Sequence, residues 1–401
     1  MNAQGKGLEQ HEILKVQLMR GEKEQDYLTH IWNLTSMMDH PIIAKEENQD
    51  EACYRQFYEE AISLCRKKRF HEVLEKCRYT SLDDEEEYSI DVIQPEKIEF
   101  KQNSYEDGEN SIISFPEFLL LVLDVCTGGE QPASHYQPDK LIEKFDALKT
   151  HFTAGEFYEK MLYYRLLLDY YTIRRDIKDG QGNYSLILKG PKDDNDKLKQ
   201  YQSMLYVSTE AFYNWLKPYL RKLEQDELQS CAEMLAFLKK EDNERHGVLP
   251  ARKDLSYKAS GNIRYWFWRL DYYLWEQRST FFNEEEQKIV EHYVFRRNRS
   301  IEHLHPQDES HNEEWEEEAV HSFGNLAMIS QSFNSQQSND HIQIKFARIH
   351  EQISNKSLQS IKMFLMCKLA DFNYQNWTMK LAKEHENEMI EFLERSFYIS
   401  D

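Results

Sequence analysis

Residues that end helices and form turns are scarce in this sequence. Its 401 residues include 13 glycines and 9 prolines. This scarcity favours long helices and argues against an all-β fold, which would need many turn residues. Long apolar runs are missing too. The longest, residues 118–123, is far too short to cross a bilayer, so we expect no membrane partner.

Cysteine pairs and an excess of positive charge are also missing. None of the six cysteines stands in a Cys-x-x-Cys pair, so we expect reduced, mostly buried thiols and a cytoplasmic location. The formal net charge is -21, which excludes a general electrostatic attraction to nucleic acid. Any DNA binding must therefore use a local basic patch, a bound cation or a partner protein.

The composition is rich enough in apolar residues for two or three domains. Hydrophobic residues make up 40% of the chain, aromatic residues 13% and charged residues 30%, which is typical of a globular protein. We divide the chain into a helical domain at residues 1–250 and a second domain at residues 251–401. An acidic stretch at residues 81–112 is predicted to be a loop of the first domain.

Helical periodicity dominates both domains. In the first domain we expect helices at residues 1–80, 115–125 and 138–175. Helix resumes after a polar loop at 192–197 and continues to about residue 240. One short strand is predicted after the turn at residues 179–183. A helix at residues 262–278 carries three tryptophans, a pattern more typical of a buried core than of a base-stacking surface.

A cluster of chemically useful residues lies in the second domain. The motif Glu302-His303-x-x-Pro-Gln is followed by Gly-Asn-Leu at residues 324–326, by Asn334 and by Lys345. Hydrolysis of a phosphodiester bond needs a group that removes a proton from water near neutral pH, and histidine suits this task. The reaction also gains from a divalent cation held by oxygen ligands, which glutamate and asparagine can supply.

These motifs, in this order, resemble the His-Me finger (HNH-like) domain of the GmrSD-type restriction endonucleases. The downstream helix with Trp377 and His385 also looks like that family. The resemblance implies a mainly α-helical protein that carries a small ββα-metal module at about residues 285–350. It implies a metal-dependent DNA endonuclease that acts in defence against foreign DNA.

The resemblance further implies a role for each site residue. His303 would be the general base, and Asn325 would orient its imidazole ring. Glu302 and Asn334 would bind the metal, and such oxygen ligands favour Mg²⁺ or Mn²⁺. The cations expected to contact DNA phosphates are Arg296, Arg297, Arg299 and Lys345. The remaining histidines of this region are expected to be surface or structural residues: His305, His311, His321 and His341.

The N-terminal residues resemble another part of the same family. Residues 7–15 look like the segment that closes its ParB-like NTPase domain, but that domain's Asp-Gly-Gln-Gln-Arg motif does not occur in this sequence. We therefore expect a partner protein to supply the NTPase domain. The expected docking face on the first helix consists of Leu8, Ile13 and Val16.

Two other functions remain open. The missing NTPase motif and the net charge of -21 are compatible with a non-catalytic helical interaction protein, a regulatory fragment of a restriction system. The same finger could instead cleave RNA, as in an RNA-targeting toxin. Cleavage of DNA and of RNA, each measured over a range of metal concentrations, would separate these two functions from a DNA endonuclease.

Overall fold

The structure is a computed structural model, and it describes most of the chain. The described residues are 9–43, 50–78, 108–177, 184–191, 195–208, 211–297, 299–307, 315–330 and 342–398. The described part is mainly helical, which confirms the predicted fold class at this level. None of the described helices is both long and apolar enough to span a membrane.

The helices in chain order are α1 (Gln10–Met19), α2 (Gln25–Ser36), α3 (Glu51–Arg66), α4 (Phe70–Arg78), α5 (Phe115–Cys126), α6 (Leu141–Leu148), α7 (Ala154–Tyr171), α8 (Asp196–Val207), α9 (Phe212–Glu224), α10 (Cys231–His246), α11 (Ile263–Glu276), α12 (Arg278–Phe281), α13 (Glu284–Glu291), α14 (Glu317–Val320), α15 (Ile342–Ser354), α16 (Ile361–Leu369) and α17 (Met379–Arg395). The strands are β1 (Gly108–Asn110), β2 (Arg174–Ile177), β3 (Tyr184–Ile187), β4 (Arg299–His303) and β5 (Leu326–Ser330).

The chain divides into two compact units. Unit 1 contains residues 1–195 and 211–231, and unit 2 contains residues 196–210 and 232–401. The boundary chosen from the sequence, residue 250, lies within unit 2.

Unit 1 combines helices with an antiparallel sheet in the order β1-β2-β3. Strand β2 begins at Arg174, where the sequence pattern predicted helix, because pairing with two other strands outweighs a local periodicity. The predicted acidic loop at 81–112 lies mostly outside the described residues, and its described end forms β1. The predicted short strand after residue 183 is β3.

A buried ion network joins several elements of unit 1. The carboxylate of Asp169 is fully buried and accepts hydrogen bonds from two buried guanidinium groups, Arg165 at 2.9 Å and Arg174. Its second oxygen accepts the backbone N–H of Ile42 at 2.6 Å. Because each charge has a partner, the cost of burying it is offset and the surrounding segments are held in place.

The core of unit 2 includes α11, the predicted aromatic helix. Its tryptophans Trp266, Trp268 and Trp275 are 6%, 2% and 4% exposed, so this helix is core rather than a base-stacking surface. One face of α11 packs against Phe323, whose ring stacks on Phe267 at 4.6 Å. This contact anchors the segment that precedes β5.

Strands β4 and β5 form a two-stranded antiparallel sheet that positions the predicted site. Glu302 pairs with Ala327, and His303 pairs with Leu326. Both faces of β5 are buried, because Leu326, Ala327, Met328 and Ile329 are at most 1% exposed. The short helix α14 lies between the two strands in the chain, and α15 is the next described helix after β5. Packing of α15 through Phe346 and Ile349 completes the core beside the sheet.

Candidate active site around His303

The turn after β4 is held by Asn325, whose side chain is completely buried. Its amide nitrogen donates to the backbone oxygens of His305 at 3.0 Å and Val320 at 2.9 Å. Its carbonyl oxygen accepts from His305 N at 2.8 Å and from Trp377 Nε1 at 3.2 Å. The expected contact between this side chain and the His303 ring therefore needs correction. Asn325 holds the backbone beyond His303, and other residues hold the ring.

The imidazole of His303 lies at the C-terminal end of β4 and is 4% exposed. Its Nδ1 lies 3.0 Å from Gln307 Nε2, and its Nε2 lies 3.0 Å from His321 Nδ1. An amide nitrogen can only donate, so Nδ1 of His303 is the acceptor. With the Gln307 amide in this orientation, the ring proton of His303 is assigned to Nε2, which then donates to His321.

The His303 ring is uncharged at neutral pH. Burial, together with His321 and the nearby ammonium of Lys345, lowers the pKa of His303 to about 3. Burial also lowers the pKa of His321, where Lys258 acts in the same direction and Glu317 opposes it. A neutral imidazole carries one lone pair, and in His303 this lone pair is on Nδ1.

Glu302 and Lys345 form an ion pair inside unit 2. The ammonium of Lys345 lies 2.5 Å from Glu302 Oε1 and donates to the backbone oxygen of His303 at 2.5 Å. Lys345 is 4% exposed and Glu302 is 9% exposed. Lys345, expected to contact a DNA phosphate, is in this structure directed into the protein and paired with Glu302.

Of the two residues expected to bind a divalent metal, the described part of the chain contains one, the carboxylate Glu302. Glu302 offers the hard oxygen donors that Mg²⁺ or Mn²⁺ prefers. Within the described residues, no three His, Cys, Asp or Glu side chains converge as a metal site would need. Asn334, the second expected ligand, lies outside the described residues. The one carboxylate present is neutralised by Lys345.

The predicted basic cluster before β4 is described only in part. Arg296 is exposed. Arg297 places its guanidinium 4.0 Å from the centre of the Tyr206 ring and donates to the Tyr206 backbone oxygen at 3.2 Å. The backbone of Arg299 belongs to β4, and its side chain lies outside the described part.

Three residues that sequence reasoning did not assign to the site surround the His303 ring: His321, Gln307 and Tyr257. Tyr257 is 43% exposed, and its ring lies edge-on to His303 at 4.6 Å and stacks on His321 at 5.8 Å. Gln307 belongs to the recognised motif, and His321 stands just before Gly-Asn-Leu, so their positions in the motif were the available signal. His305 stacks on Trp315 at 4.1 Å.

A small cavity lies next to this site. It has a volume of about 310 Å³ and is lined by Tyr257, Ala259, Gly261, Asn262, Ile263, Arg264, Ser300 and Ile301. A larger cavity of about 630 Å³ borders α17, and its lining does not include His303. The smaller cavity shares Tyr257 with the histidine pair and has the exposed Arg264 at its edge.

Comparison with known proteins places this geometry in a family context. Residues 250–392 match the family described as GmrSD restriction endonucleases, C-terminal domain. No curated protein and no solved structure is significantly similar to the chain. The matched segment includes β4, β5, α15 and the three described neighbours of the His303 ring, Tyr257, Gln307 and His321. The histidine site therefore lies within the segment that matches the C-terminal domain of the GmrSD restriction endonucleases.

Proposed function

We propose that this protein is a metal-dependent DNA endonuclease of a restriction system, with His303 as the general base. One observation carries the proposal. A buried, uncharged imidazole with its lone pair on Nδ1 lies at the end of β4, within a segment that matches restriction endonucleases. An uncharged imidazole is the form that can take a proton from water.

In the proposed reaction, His303 Nδ1 accepts a proton from the attacking water. The water oxygen forms a bond to phosphorus as the bond between phosphorus and the leaving oxygen breaks, and the leaving oxygen keeps the electron pair and takes a proton from solvent. Gln307 donates to Nδ1 in this structure, so its amide has to give way to the water. A bound phosphodiester brings negative charge near the ring, which raises the low pKa of His303 and makes it a better base.

The proposed metal, Mg²⁺ or Mn²⁺, would be held by Glu302 and Asn334. When bound, such a cation stabilises negative charge on the phosphate. Glu302 has to exchange the ammonium of Lys345 for this cation, because that ammonium lies 2.5 Å from Oε1. Metal binding therefore competes with the internal ion pair.

The proposed DNA contacts are Arg296, Arg297 and Arg299, which precede or begin β4. A net charge of -21 leaves only such local cations to attract a phosphate backbone. We further propose that a partner protein with a ParB-like NTPase domain delivers the DNA, and that both act in the cytoplasm. Val16, one residue of the expected docking face on α1, is 68% exposed.

A second candidate is a non-catalytic member of the same family. The Glu302–Lys345 pair favours it, because an ammonium already neutralises the carboxylate expected to bind metal. In that case the domain would serve as an interaction module.

Cleavage assays with the purified protein test these functions. Plasmid DNA and single-stranded RNA are incubated with high protein concentrations in Mg²⁺ or Mn²⁺ at low salt. Cleavage of DNA that requires metal and is lost in His303→Ala supports the proposal. Cleavage of RNA alone supports the toxin alternative, and intact substrates under all conditions support the non-catalytic candidate.

A further inference from the structure

Two histidine rings meet in the interior of unit 2. His303 Nε2 and His321 Nδ1 are 3.0 Å apart, the ring centres are 5.2 Å apart and the rings are inclined at 74°. His303 is 4% exposed and His321 is 8% exposed. A hydrogen bond between two neutral imidazoles requires one ring to donate and the other to accept.

The direction of this hydrogen bond follows from Gln307. Its amide nitrogen donates to His303 Nδ1, so the ring proton of His303 is on Nε2. The acceptor for that proton is the Nδ1 lone pair of His321. If His321 offered no acceptor, Nε2–H would be buried without a partner, and the tautomer with the proton on Nδ1 would become competitive. That tautomer has no lone pair at the proposed catalytic nitrogen.

The acceptor is itself held from two sides. The backbone N–H of His321 ends α14 by donating to Glu317 O at 3.2 Å. The backbone oxygen of His321 accepts from Tyr257 N and from Ser256 Oγ, each at 3.0 Å. The Tyr257 ring stacks on the imidazole at an interplanar angle of 16°. His321 therefore presents its Nδ1 in a constrained position.

We propose that His321 is a positioning residue, which keeps the proton of His303 on Nε2 and thereby leaves the lone pair on Nδ1 for the attacking water. This inference rests on the proposed nuclease function. It assigns to His321 the orienting role that the sequence pattern suggested for Asn325. The positioning role needs only a hydrogen-bond acceptor, so another acceptor at the same place should perform it.

The first test is the tautomer of His303, which does not depend on nuclease activity. Proteins labelled with ¹⁵N in their histidines are measured by two-dimensional NMR, and the His303 signals are assigned by their loss in His303→Ala. We expect a protonated Nε2 and an unprotonated Nδ1. A proton on Nδ1 in the unmodified protein would overturn the inference even if the protein is an active nuclease.

The second test compares two replacements of His321. Asparagine places its Oδ1 near the position of His Nδ1 and keeps the acceptor, whereas alanine removes it. We expect His321→Ala to lower kcat for DNA cleavage by about 10- to 100-fold with little change in KM, and His321→Asn to stay within about threefold of the parent. The His350→Ala variant, which removes an exposed histidine of α15 outside the site, serves as the control and should behave like the parent.

The outcomes separate the two proposals. If the parent cleaves DNA and both His321 variants are equally active, or equally impaired, the inference about His321 is wrong and the nuclease function stands. If the parent cleaves nothing, the nuclease function fails and the NMR measurement alone decides whether His321 sets the tautomer. If His321→Ala does not fold, retention or loss of activity in His321→Asn decides.

Discussion

Lys345 and Glu302 form an ion pair in the interior of unit 2, with 2.5 Å between the ammonium nitrogen and Oε1. The lysine also donates to the backbone oxygen of His303. One cation thus holds the carboxylate expected to bind metal and the backbone of the proposed base. A divalent ion at Glu302 would meet this ammonium, so we expect the pair to weaken metal binding.

We expect Lys345→Met to bind Mn²⁺ more tightly than the parent. The substitution removes both the competing ammonium and its repulsion of the metal. The dissociation constant should fall on the order of tenfold, the ratio that corresponds to about 1.4 kcal/mol. Without metal the unpaired Glu302 should lower the melting temperature. Calorimetric titration with Mn²⁺ measures the affinity.

Lys368→Met is the control for this titration, because it breaks the Lys368–Glu286 pair elsewhere in unit 2. Its Mn²⁺ affinity should equal that of the parent. Weaker Mn²⁺ binding by Lys345→Met would contradict competition and would show that the lysine supports the metal site.

We expect His303→Ala to abolish DNA cleavage while the protein stays folded. Loss of a general base typically costs about 10²- to 10⁴-fold in rate. Single-turnover cleavage of plasmid DNA measures the loss, and circular dichroism checks the fold. His350→Ala is the control, since this exposed histidine lies on α15 of the same unit. An undiminished rate in His303→Ala would rule out the assigned role.

We expect Asn325→Ala to act mainly on stability. Its amide makes four hydrogen bonds in a fully buried position, to His305 N, His305 O, Val320 O and Trp377 Nε1. Removing it leaves buried partners unsatisfied, which should lower the free energy of unfolding by at least about 2 kcal/mol. Urea denaturation measures this change. A stability equal to that of the parent would show that water replaces the amide.

Asn334→Ala should act on metal dependence instead. If Asn334 is a ligand, its loss raises the metal concentration needed for half-maximal cleavage more than Asn325→Ala does. The two variants are compared by titrating Mn²⁺ at fixed DNA concentration. Equal half-saturation in Asn334→Ala and the parent would exclude the ligand role.

The buried lysine of α16 should make stability depend on pH. Burial lowers the pKa of Lys362 from 10.5 to about 7, although Asp271 and Glu386 oppose the shift. At a pH between these two pKa values, Lys362 keeps its proton in the unfolded chain and releases it in the folded protein. Rising pH therefore favours the folded state. Relative to Lys362→Met, the parent should gain up to about 1.4 kcal/mol per pH unit.

Urea denaturation of the parent and of Lys362→Met at pH 7, 8 and 9 measures this difference. At every pH the variant also loses the hydrogen bonds from Lys362 Nζ to Phe323 O at 2.9 Å, to Leu326 O at 2.7 Å and to Met366 Sδ at 3.5 Å. That loss is the same at every pH. Only the change with pH in the stability difference between the parent and Lys362→Met therefore reports the titration of Lys362. Parallel stability curves would contradict the lowered pKa.

The isolated protein should be a weak DNA binder and a slow nuclease. A net charge of -21 repels the phosphate backbone, and the buried Lys345 does not offset it at the surface. Fluorescence anisotropy with duplex DNA at several salt concentrations measures binding. Tight binding together with rapid, complete digestion of plasmid by this protein alone would show that no partner is needed.

Several features of the fold could be read from local patterns. The scarcity of glycine and proline and the helical spacing of apolar residues predicted a mainly helical protein, and the aromatic pattern of α11 predicted a buried helix. Strand β2 was missed, because it lies between β3, which follows closely, and β1, whose residues are far away in the chain. Periodicity describes one segment at a time and carries no information about such partners.

The sequence by itself determined the helical fold class and the segment that holds the histidine site, because composition, periodicity and motif order are properties of the linear chain. The tertiary structure decided what each site residue contacts. It brought Lys345 to Glu302 across 43 positions and His321 to His303 across 18, and it turned Asn325 toward the backbone. A buried polar group bonds to whichever partner the packing of distant elements delivers, and that packing is a property of the folded chain.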